Sequence, residues 1–214
     1  MTGRTLLAAV DLGSNSFRLV IARVERHAGG RRIEALAGLK RTVRLAAGLR
    51  DDGMLDSASQ KRGIEALAHF REHLNEFSPQ AVRAVATNTL RVARNARNFL
   101  ATAETALGFP IEVISGREEA RLIYSGAAYS LPEDGRPRLV VDIGGGSTEC
   151  IVGIDRQARV LESAPVGCVA LSQRFFPEGS VDRASFEQAR TLARSVFEPL
   201  AGAFAKHSWD YAMG

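Results

Sequence analysis

Several features that define other protein classes are scarce in this sequence. There are only two cysteines, Cys150 and Cys168, and no C-x-x-C pair, so neither a disulfide framework nor a zinc site is indicated. The apolar run near the N-terminus, Leu6 to Val10, is too short for a signal-peptide core and is interrupted by Asp11. No apolar run approaches the roughly 20 residues needed to span a bilayer. We therefore expect a cytoplasmic protein with no membrane partner.

Lysine and aromatic residues are also scarce, and the positive charge comes mainly from arginine. The net charge is +4, with 28 basic residues of which lysine contributes only Lys40, Lys61 and Lys206. The planar fork of arginine suits phosphate oxygens, whereas a nucleic-acid interface would interleave aromatic residues with the basic ones. Most of these arginines are expected on the solvated surface. The composition is compatible with a polyanionic substrate and favours no nucleic-acid partner.

A glycine-containing turn between two apolar runs occurs twice. The first copy is residues 11–16 (DLGSNS) and the second is residues 142–148 (DIGGGST). Each copy is followed by β-branched and apolar residues, which predicts a β-hairpin. A dinucleotide-binding fold would instead place a helix after the glycines, and no P-loop sequence is present. One such turn is an ordinary hairpin, but two with similar flanks predict related half-domains that face one ligand.

The residue types of these turns suit phosphate and a metal ion. Glycine permits close approach of a ligand, successive backbone N–H groups form an anion-binding concavity, and hydroxyl groups add donors. Asp11 and Asp142 are predicted to hold Mg²⁺, which prefers hard oxygen ligands and keeps several waters. The predicted phosphate-binding residues are Gly13, Ser14, Asn15, Gly144, Gly145, Gly146, Ser147 and Thr148.

Local signals predict an α/β protein. A turn is expected at Gly29–Gly30 and strands near 33–45, 81–86, 110–114, 159–165 and 209–213. Helices are expected from Asp56 or Ser57 to Phe77, over 95–107, from Ser115 to Ser130, and from Asp182 to Phe204. We predict a first domain over 1–124 and a second over 125–214, hinged near 124–131. Because the second domain stops soon after a strand begins, we expect it to be incomplete.

Three motifs in order resemble the exopolyphosphatase / guanosine pentaphosphate phosphohydrolase family. They are residues 9–17 (AVDLGSNSF), 115–121 (SGREEAR) and 142–149 (DIGGGSTE). Segments 43–49 and 86–91 are also similar to family sequences. The resemblance extends from about residue 8 to the C-terminus. It implies an actin-like, ribonuclease-H-like fold of two lobes around a cleft, and hydrolysis of a terminal phosphoanhydride with Mg²⁺.

The resemblance also implies roles for individual residues. The catalytic glutamate of the family corresponds to Glu119, a plausible general base for water. Glu149 would orient that water or reach the metal, and Arg91 would help to neutralise phosphate charge. Glu118 is expected to cap its helix. Without the resemblance, both glutamates could simply favour the positive end of the helix dipole.

Several functions remain open from the sequence. The leading one is an exopolyphosphatase that removes terminal phosphate from inorganic polyphosphate, with a homodimer as a candidate assembly. Hydrolysis of guanosine pentaphosphate, the stringent-response nucleotide, needs the same hairpins and is not separable from it. An ATP-dependent kinase or chaperone of the same fold would bind adenosine through a later glycine motif, which this sequence does not contain. A non-catalytic sensor of polyphosphate or alarmone is the alternative of a different class.

Overall fold

The computed structural model describes residues 4–27, 30–205 and 207–214. These residues form two compact units, Met1–Val113 and Ile114–Gly214. The boundary therefore does not lie at residues 124/125 as predicted, because that point is inside the helix Gly116–Tyr129, whose buried side chains belong to the core of the second unit. The turn predicted at Gly29–Gly30 lies partly outside the described residues.

The first unit contains a five-stranded mixed sheet with three helices. Its elements are β1 Arg4–Leu12, β2 Ser16–His27, β3 Gly30–Thr42, α1 Ser57–Phe77, β4 Ala81–Ala86, α2 Asn88–Val92, α3 Ala96–Leu107 and β5 Ile111–Val113. The strand order is β3-β2-β1-β4-β5. The first three strands are antiparallel, and β4 runs parallel to both β1 and β5.

One face of this sheet packs against helices α1 and α3. Alternate side chains of β1 and β2 are buried there, as the two-residue period of a strand requires. They form one core with Phe70 of α1 and Phe99 of α3. Gly63 of α1 lies against Phe99, and a Cβ atom at Gly63 would approach its ring to 3.0 Å. The core thus covers one face of the β1–β2 hairpin, and the turn lies at the end of these two strands.

The second unit contains a four-stranded sheet. Its elements are α4 Gly116–Tyr129, β6 Pro137–Ile143, β7 Thr148–Ile154, β8 Gln157–Ala164, α5 Cys168–Phe175, α6 Arg183–Ala205 and β9 Tyr211–Met213. The strand order is β8-β7-β6-β9, with β9 parallel to β6 and the other pairs antiparallel. Helix α4 packs against β7 and β8.

The two sheets repeat the same arrangement. In each, a hairpin is extended by a third antiparallel strand on one side and by a parallel strand on the other. The turns have equal length, since Leu12 pairs with Phe17 and Ile143 pairs with Thr148. Each hairpin also has a bulge against its third strand, between Ile21 and Ala22 and between Val152 and Gly153. The repeated hairpin predicted from the sequence is therefore confirmed.

The predicted helices and strands are present with small shifts at their ends. Asp56 caps α1, Ser115 caps α4, and the carboxylate of Asp182 accepts a hydrogen bond from the Ser185 N–H at 2.9 Å at the start of α6. Helix α5 was not predicted. Among the described residues, no helix combines the length and apolarity needed to cross a membrane.

The cap of α1 allows a test of the first unit's stability. The Asp56 carboxylate accepts a hydrogen bond from the Ser59 N–H at 2.6 Å. Asp56→Ala leaves that N–H without its acceptor and is expected to lower the free energy of unfolding by about 1 kcal/mol. Asp56→Asn preserves an acceptor and serves as the control. Urea denaturation measures both variants, and equal stability of Asp56→Ala and the parent would contradict the assignment.

Candidate active site

The turn between β1 and β2 is oriented by hydrogen bonds to its carbonyl groups. The carbonyl oxygens of Ser14 and Asn15 accept hydrogen bonds of 2.8–3.0 Å from backbone N–H groups of the segment after β3, namely those of Val43, Arg44 and Ala46. A trans peptide directs its C=O and N–H to opposite sides. The N–H groups of Asn15 and Ser16 therefore point away from that segment.

Side chains around this first turn secure it further. The hydroxyl of Thr89, on α2, donates to the Ser14 hydroxyl at 2.8 Å, and both side chains are buried. A Cβ atom at Gly13 would lie 2.9 Å from the Ser16 carbonyl oxygen, so the turn requires glycine there. Asp11 is half-buried and faces Arg18 across the hairpin. Arg91 also lies on α2 and is half-buried.

The turn between β6 and β7 is oriented in the same way by helix α5. The Gly144 carbonyl accepts from Cys168 N–H at 3.0 Å, and the Gly145 carbonyl accepts from the next two N–H groups of the helix, at 3.0 and 3.1 Å. The peptide N–H groups of Gly145 and Gly146 therefore point away from α5. Two successive N–H groups with a common direction form a concavity that suits an anion.

Close packing behind the second turn explains why residue 167 is a glycine. Gly167 precedes α5, and a Cβ atom there would lie 2.5 Å from the Gly146 nitrogen and 2.6 Å from the Gly144 carbonyl oxygen. The Thr148 hydroxyl donates to the Val166 carbonyl at 2.7 Å and is buried. Thr148 thus fastens the turn to the segment before α5.

Three polar side chains form a row across the second sheet. Asp142 pairs with Glu149, and Glu149 pairs with Ser163 on β8, so directly opposite residues share one face. Asp142 is exposed, whereas Glu149 is only 1% exposed. The Ser163 hydroxyl donates to Glu149 Oε1 at 2.8 Å, and the Ser147 hydroxyl also bonds to this carboxyl group.

Burial makes Glu149 a weaker acid than an ordinary glutamate. Desolvation, followed by the negative charge of Glu119 and with a smaller effect from Asp142, raises the pKa of Glu149 from 4.5 to about 7. The hydrogen bonds from Ser163 and Ser147 oppose this rise. The charge of Glu119 reaches Glu149 because α4 packs on β7 and β8. A carboxyl group that titrates near neutral pH can hold or release a proton during a reaction.

The two adjacent glutamates of α4 have different surroundings. The Glu118 N–H donates to the Ser115 hydroxyl at 3.2 Å, and the Glu118 carboxylate accepts two hydrogen bonds of 2.7 Å from Arg121. Glu118 is thus engaged in the first turn of its own helix. Glu119 instead interacts electrostatically with the buried Glu149, which distinguishes it as the acid directed towards the carboxyl row.

The predicted site residues form one set in each unit. The first unit holds Asp11, Gly13, Ser14, Asn15 and Arg91, and the second holds Glu119, Asp142, Gly144, Gly145, Gly146, Ser147, Thr148 and Glu149. Within each unit the turn, its adjacent aspartate and the supporting helix are neighbours. Sequence reasoning missed Thr89, Ser163 and Gly167. Of these, Ser163 could have been found by counting strand register from Glu149.

The donor chemistry of the acid row fits the magnesium ion predicted from the sequence. In the described parts of the chain, no group of three or more His, Cys, Asp or Glu side chains is arranged to hold a metal ion. Mg²⁺ needs fewer protein ligands, since it retains several waters and is bound through one or two carboxylates plus substrate phosphates. The exposed carboxylate of Asp142 lies in a strongly acidic setting, where a cation would relieve the repulsion.

Comparisons with known proteins agree on one family. A sequence model described as the Ppx/GppA phosphatase family matches residues 20–214. The chain is 31% identical to a PPX-GPPA enzyme from Aquifex aeolicus, with a TM-score of 0.72, over 92% of this chain and 64% of that one. It is 26% identical to an exopolyphosphatase from Cytophaga hutchinsonii, with a TM-score of 0.86, over 98% of this chain and 65% of that one.

A more distant structural relative extends the fold comparison. The chain is 15% identical to a chain of the PilM-PilN type IV pilus biogenesis complex, with a TM-score of 0.50, over 94% of this chain and 74% of that one. The predicted α/β, actin-like fold is confirmed. The chain spans less than two thirds of the length of the Aquifex aeolicus and Cytophaga hutchinsonii proteins.

The raised pKa of Glu149 predicts how a variant changes stability with pH. The folded-state pKa of about 7 exceeds the usual value of 4.5, so this group's contribution is full below about pH 4.5 and is lost as the pH rises through about 7. Glu149→Gln does not ionise. Its stability relative to the parent is therefore expected to rise by about 3 kcal/mol between about pH 5 and about pH 8, at roughly 1.4 kcal/mol per pKa unit.

Chemical denaturation at several pH values, in the presence of a chelator, measures this difference. The exposed Glu178→Gln is the matched control and is expected to show no comparable change with pH. A stability difference between Glu149→Gln and the parent that stays constant over this range would show that the carboxyl group titrates elsewhere.

Proposed function

This chain belongs to the Ppx/GppA phosphatase family, and we propose that it acts as a hydrolase that releases terminal phosphate from inorganic polyphosphate by Mg²⁺-assisted attack of water. The observation that carries this proposal is the second unit's turn. There, two peptide N–H groups with a common direction lie next to a row of carboxyl groups, one of which titrates near neutral pH. Phosphoryl transfer needs these two elements side by side.

Binding of the phosphate is assigned to the two turns. The N–H groups of Gly145 and Gly146 are held by the peptide geometry and would donate to phosphoryl oxygens without prior rearrangement. The N–H groups of Asn15 and Ser16 provide an equivalent pair in the first unit. Arg18 lies across the hairpin from Asp11, and its guanidinium group can pair with phosphate oxygens.

Activation of water is assigned to Glu119. Its carboxylate is the group on α4 that interacts with Glu149, while Glu118 is occupied by Arg121. Glu119 would accept the proton of the attacking water. Glu149, with the Ser163 hydroxyl on one of its oxygens, would orient that water.

In the second unit the metal ion would be held by Asp142, the aspartate that precedes the turn, and Asp11 is the candidate ligand at the equivalent position of the first unit. When bound, Mg²⁺ would neutralise negative charge on the phosphate oxygens. Both aspartates offer hard oxygen ligands at the end of the first strand of a hairpin. Asp142 is exposed, which leaves room for the waters that Mg²⁺ retains.

Two other substrates or roles share much of this chemistry. Guanosine pentaphosphate presents the same terminal phosphoanhydride and would use the same turns. A non-catalytic sensor of polyphosphate would need the turns but not the carboxyl groups, so the presence of Glu119, Asp142 and Glu149 favours an enzyme.

Phosphate release provides the direct test. The chain is incubated in parallel with long-chain polyphosphate, guanosine pentaphosphate and ATP, and a full-length Ppx/GppA phosphatase serves as the positive control. We expect release from polyphosphate that requires Mg²⁺ and falls sharply in Asp142→Ala. Faster release from guanosine pentaphosphate would reassign the substrate, full turnover in excess chelator would contradict metal assistance, and binding without turnover would favour the sensor.

The packing behind the second turn predicts a binding defect. Gly167→Ala places a methyl group 2.5–2.6 Å from backbone atoms of the turn, so the backbone must shift, and we expect the N–H groups of the turn to lose their common direction. We expect the affinity for tripolyphosphate, measured by calorimetry, to fall at least about tenfold, the loss of roughly one charged hydrogen bond. Gly202→Ala on α6, where a Cβ atom meets no neighbour within 4 Å, is the control and should bind normally.

Substitution of the two adjacent glutamates of α4 is expected to give opposite kinetic results. Glu119→Gln keeps the shape of the side chain but removes the base, so kcat is expected to fall about 10²–10⁴-fold with little change in KM. Glu118→Gln weakens only the ion pair with Arg121 and should retain most turnover. Steady-state phosphate release at saturating Mg²⁺ distinguishes them. If Glu118→Gln is the inactive variant, the residue assignment is reversed, and if both turn over normally, the base does not lie on α4.

A further inference from the structure

Helix α4 contacts the core of the second unit through one large, fully buried side chain, and the partly buried Ile123 packs beside it. Its buried residues are Ala120, Tyr124 and Ala128, at intervals of four residues along one face, and Tyr124 is only 1% exposed. The two alanines allow the helix to lie close to the strands. In a close-packed interior, the tyrosine ring between them then needs a recess in the sheet.

Gly153 of β7 provides that recess. A Cβ atom at Gly153 would lie 2.2 Å from the Cζ atom of Tyr124 and 2.3 Å from its hydroxyl oxygen, far closer than the optimum of roughly 3.5–4.0 Å for non-bonded carbon atoms. A glycine inside a strand often marks such a close approach. The tip of the tyrosine ring therefore occupies the space that a β7 side chain would fill.

The hydroxyl group of the same tyrosine adds a second attachment. It donates to the Asp155 carbonyl at 3.1 Å. Asp155 lies in the turn between β7 and β8, has a left-handed backbone with φ of +51°, and its carboxylate accepts from the Gly135 N–H at 2.9 Å. The ring fixes the helix over Gly153, and the hydroxyl fixes it to the end of the strand.

The acidic groups lie near the N-terminal ends of the same two elements. Glu119 precedes Tyr124 on α4, and Glu149 precedes Gly153 on β7. We infer that the packing of Tyr124 against Gly153 sets the position of α4 along β7 and thereby holds Glu119 next to Glu149. This inference rests on the proposed function for the importance of Glu119. Because Tyr124 would touch neither substrate nor reacting atoms, it is a positioning residue.

The physical basis is the length of one helical turn. A slip of α4 by one turn would displace Glu119 by about 5.4 Å, and even a displacement of about 1 Å can cost 10²-fold in rate. Alanine side chains alone would resist such sliding weakly, because their methyl groups project only a short distance towards the strands. The tyrosine ring, in the recess at Gly153, provides a deep contact that distinguishes one register from the next.

A distance measurement tests the contact between Tyr124 and Gly153 without any assay of activity. Spin labels are attached at the exposed positions Arg117 and Arg159, one on α4 and one on β8, after replacement of both by cysteine and of Cys150 and Cys168 by serine. Double electron–electron resonance then compares the parent with Tyr124→Leu and Tyr124→Phe. We expect a shifted or broadened distance distribution for Tyr124→Leu and an unchanged one for Tyr124→Phe, which keeps the ring.

Tyr129→Leu is the matched control, because Tyr129 lies on the same helix and is exposed. It should leave the distance unchanged. If Tyr124→Leu does not fold, Tyr124→Met replaces it, because the unbranched side chain adapts to irregular gaps. An unchanged distribution in the folded Tyr124 variant would overturn the inference.

Kinetics of phosphate release provide the second readout. Tyr124→Leu is expected to lower kcat about 10–100-fold with KM nearly unchanged, since the phosphate-binding turns are not altered. Tyr124→Phe should restore most of kcat. A variant that changes KM alone, or retains full kcat, would contradict the positioning role. If the parent chain itself releases no phosphate, the proposed function fails for this chain, and the spin-label distances still decide whether Tyr124 sets the register.

Discussion

The candidate site depends on where the carbonyl groups of two short turns find their hydrogen-bond donors. The first N–H groups of a helix have no acceptor within that helix, and α5 donates them to the carbonyls of Gly144 and Gly145. One set of bonds thus satisfies the start of the helix and turns the peptide N–H groups of the glycine loop outwards. In the first unit, the segment after β3 performs the same task for Ser14 and Asn15.

This dependence explains why glycine is needed both within a turn and behind it. At Gly13 and Gly144 a side chain would collide with the turn's own carbonyl, and at Gly167 it would collide with the turn from behind. The sequence motif contains only the glycines within the turns. The requirement for glycine at residue 167 arises in a segment more than twenty residues after Gly144, so the motif does not reveal it.

The sequence predicted the hairpins, most helices and their caps because these depend on neighbouring residues. It did not predict α5, whose eight residues follow Gly167 and bury no side chain fully, so that periodicity gives little signal. The domain boundary was misplaced for a related reason. The apolar face of α4 is evident from Ala120 and Tyr124, but the sequence does not state which sheet covers that face. Glu149 was recognised from the resemblance, whereas its burial and its hydrogen bond from Ser163 depend on strand register.

The two hairpins carry opposite types of charged side chain at equivalent positions, a basic one in the first copy and an acidic one in the second. Where the second copy has Glu149 paired with Ser163, the first copy has Arg18 paired with Lys40. An arginine beside Glu149 would stabilise its ionised form and lower its pKa, so the carboxyl group would no longer carry a proton near neutral pH. Duplication of the backbone therefore allows one chain to keep a permanent cation and a weak acid at equivalent positions, each on its own sheet. Substitutions in one copy can then tune attraction for an anion without changing the proton affinity in the other.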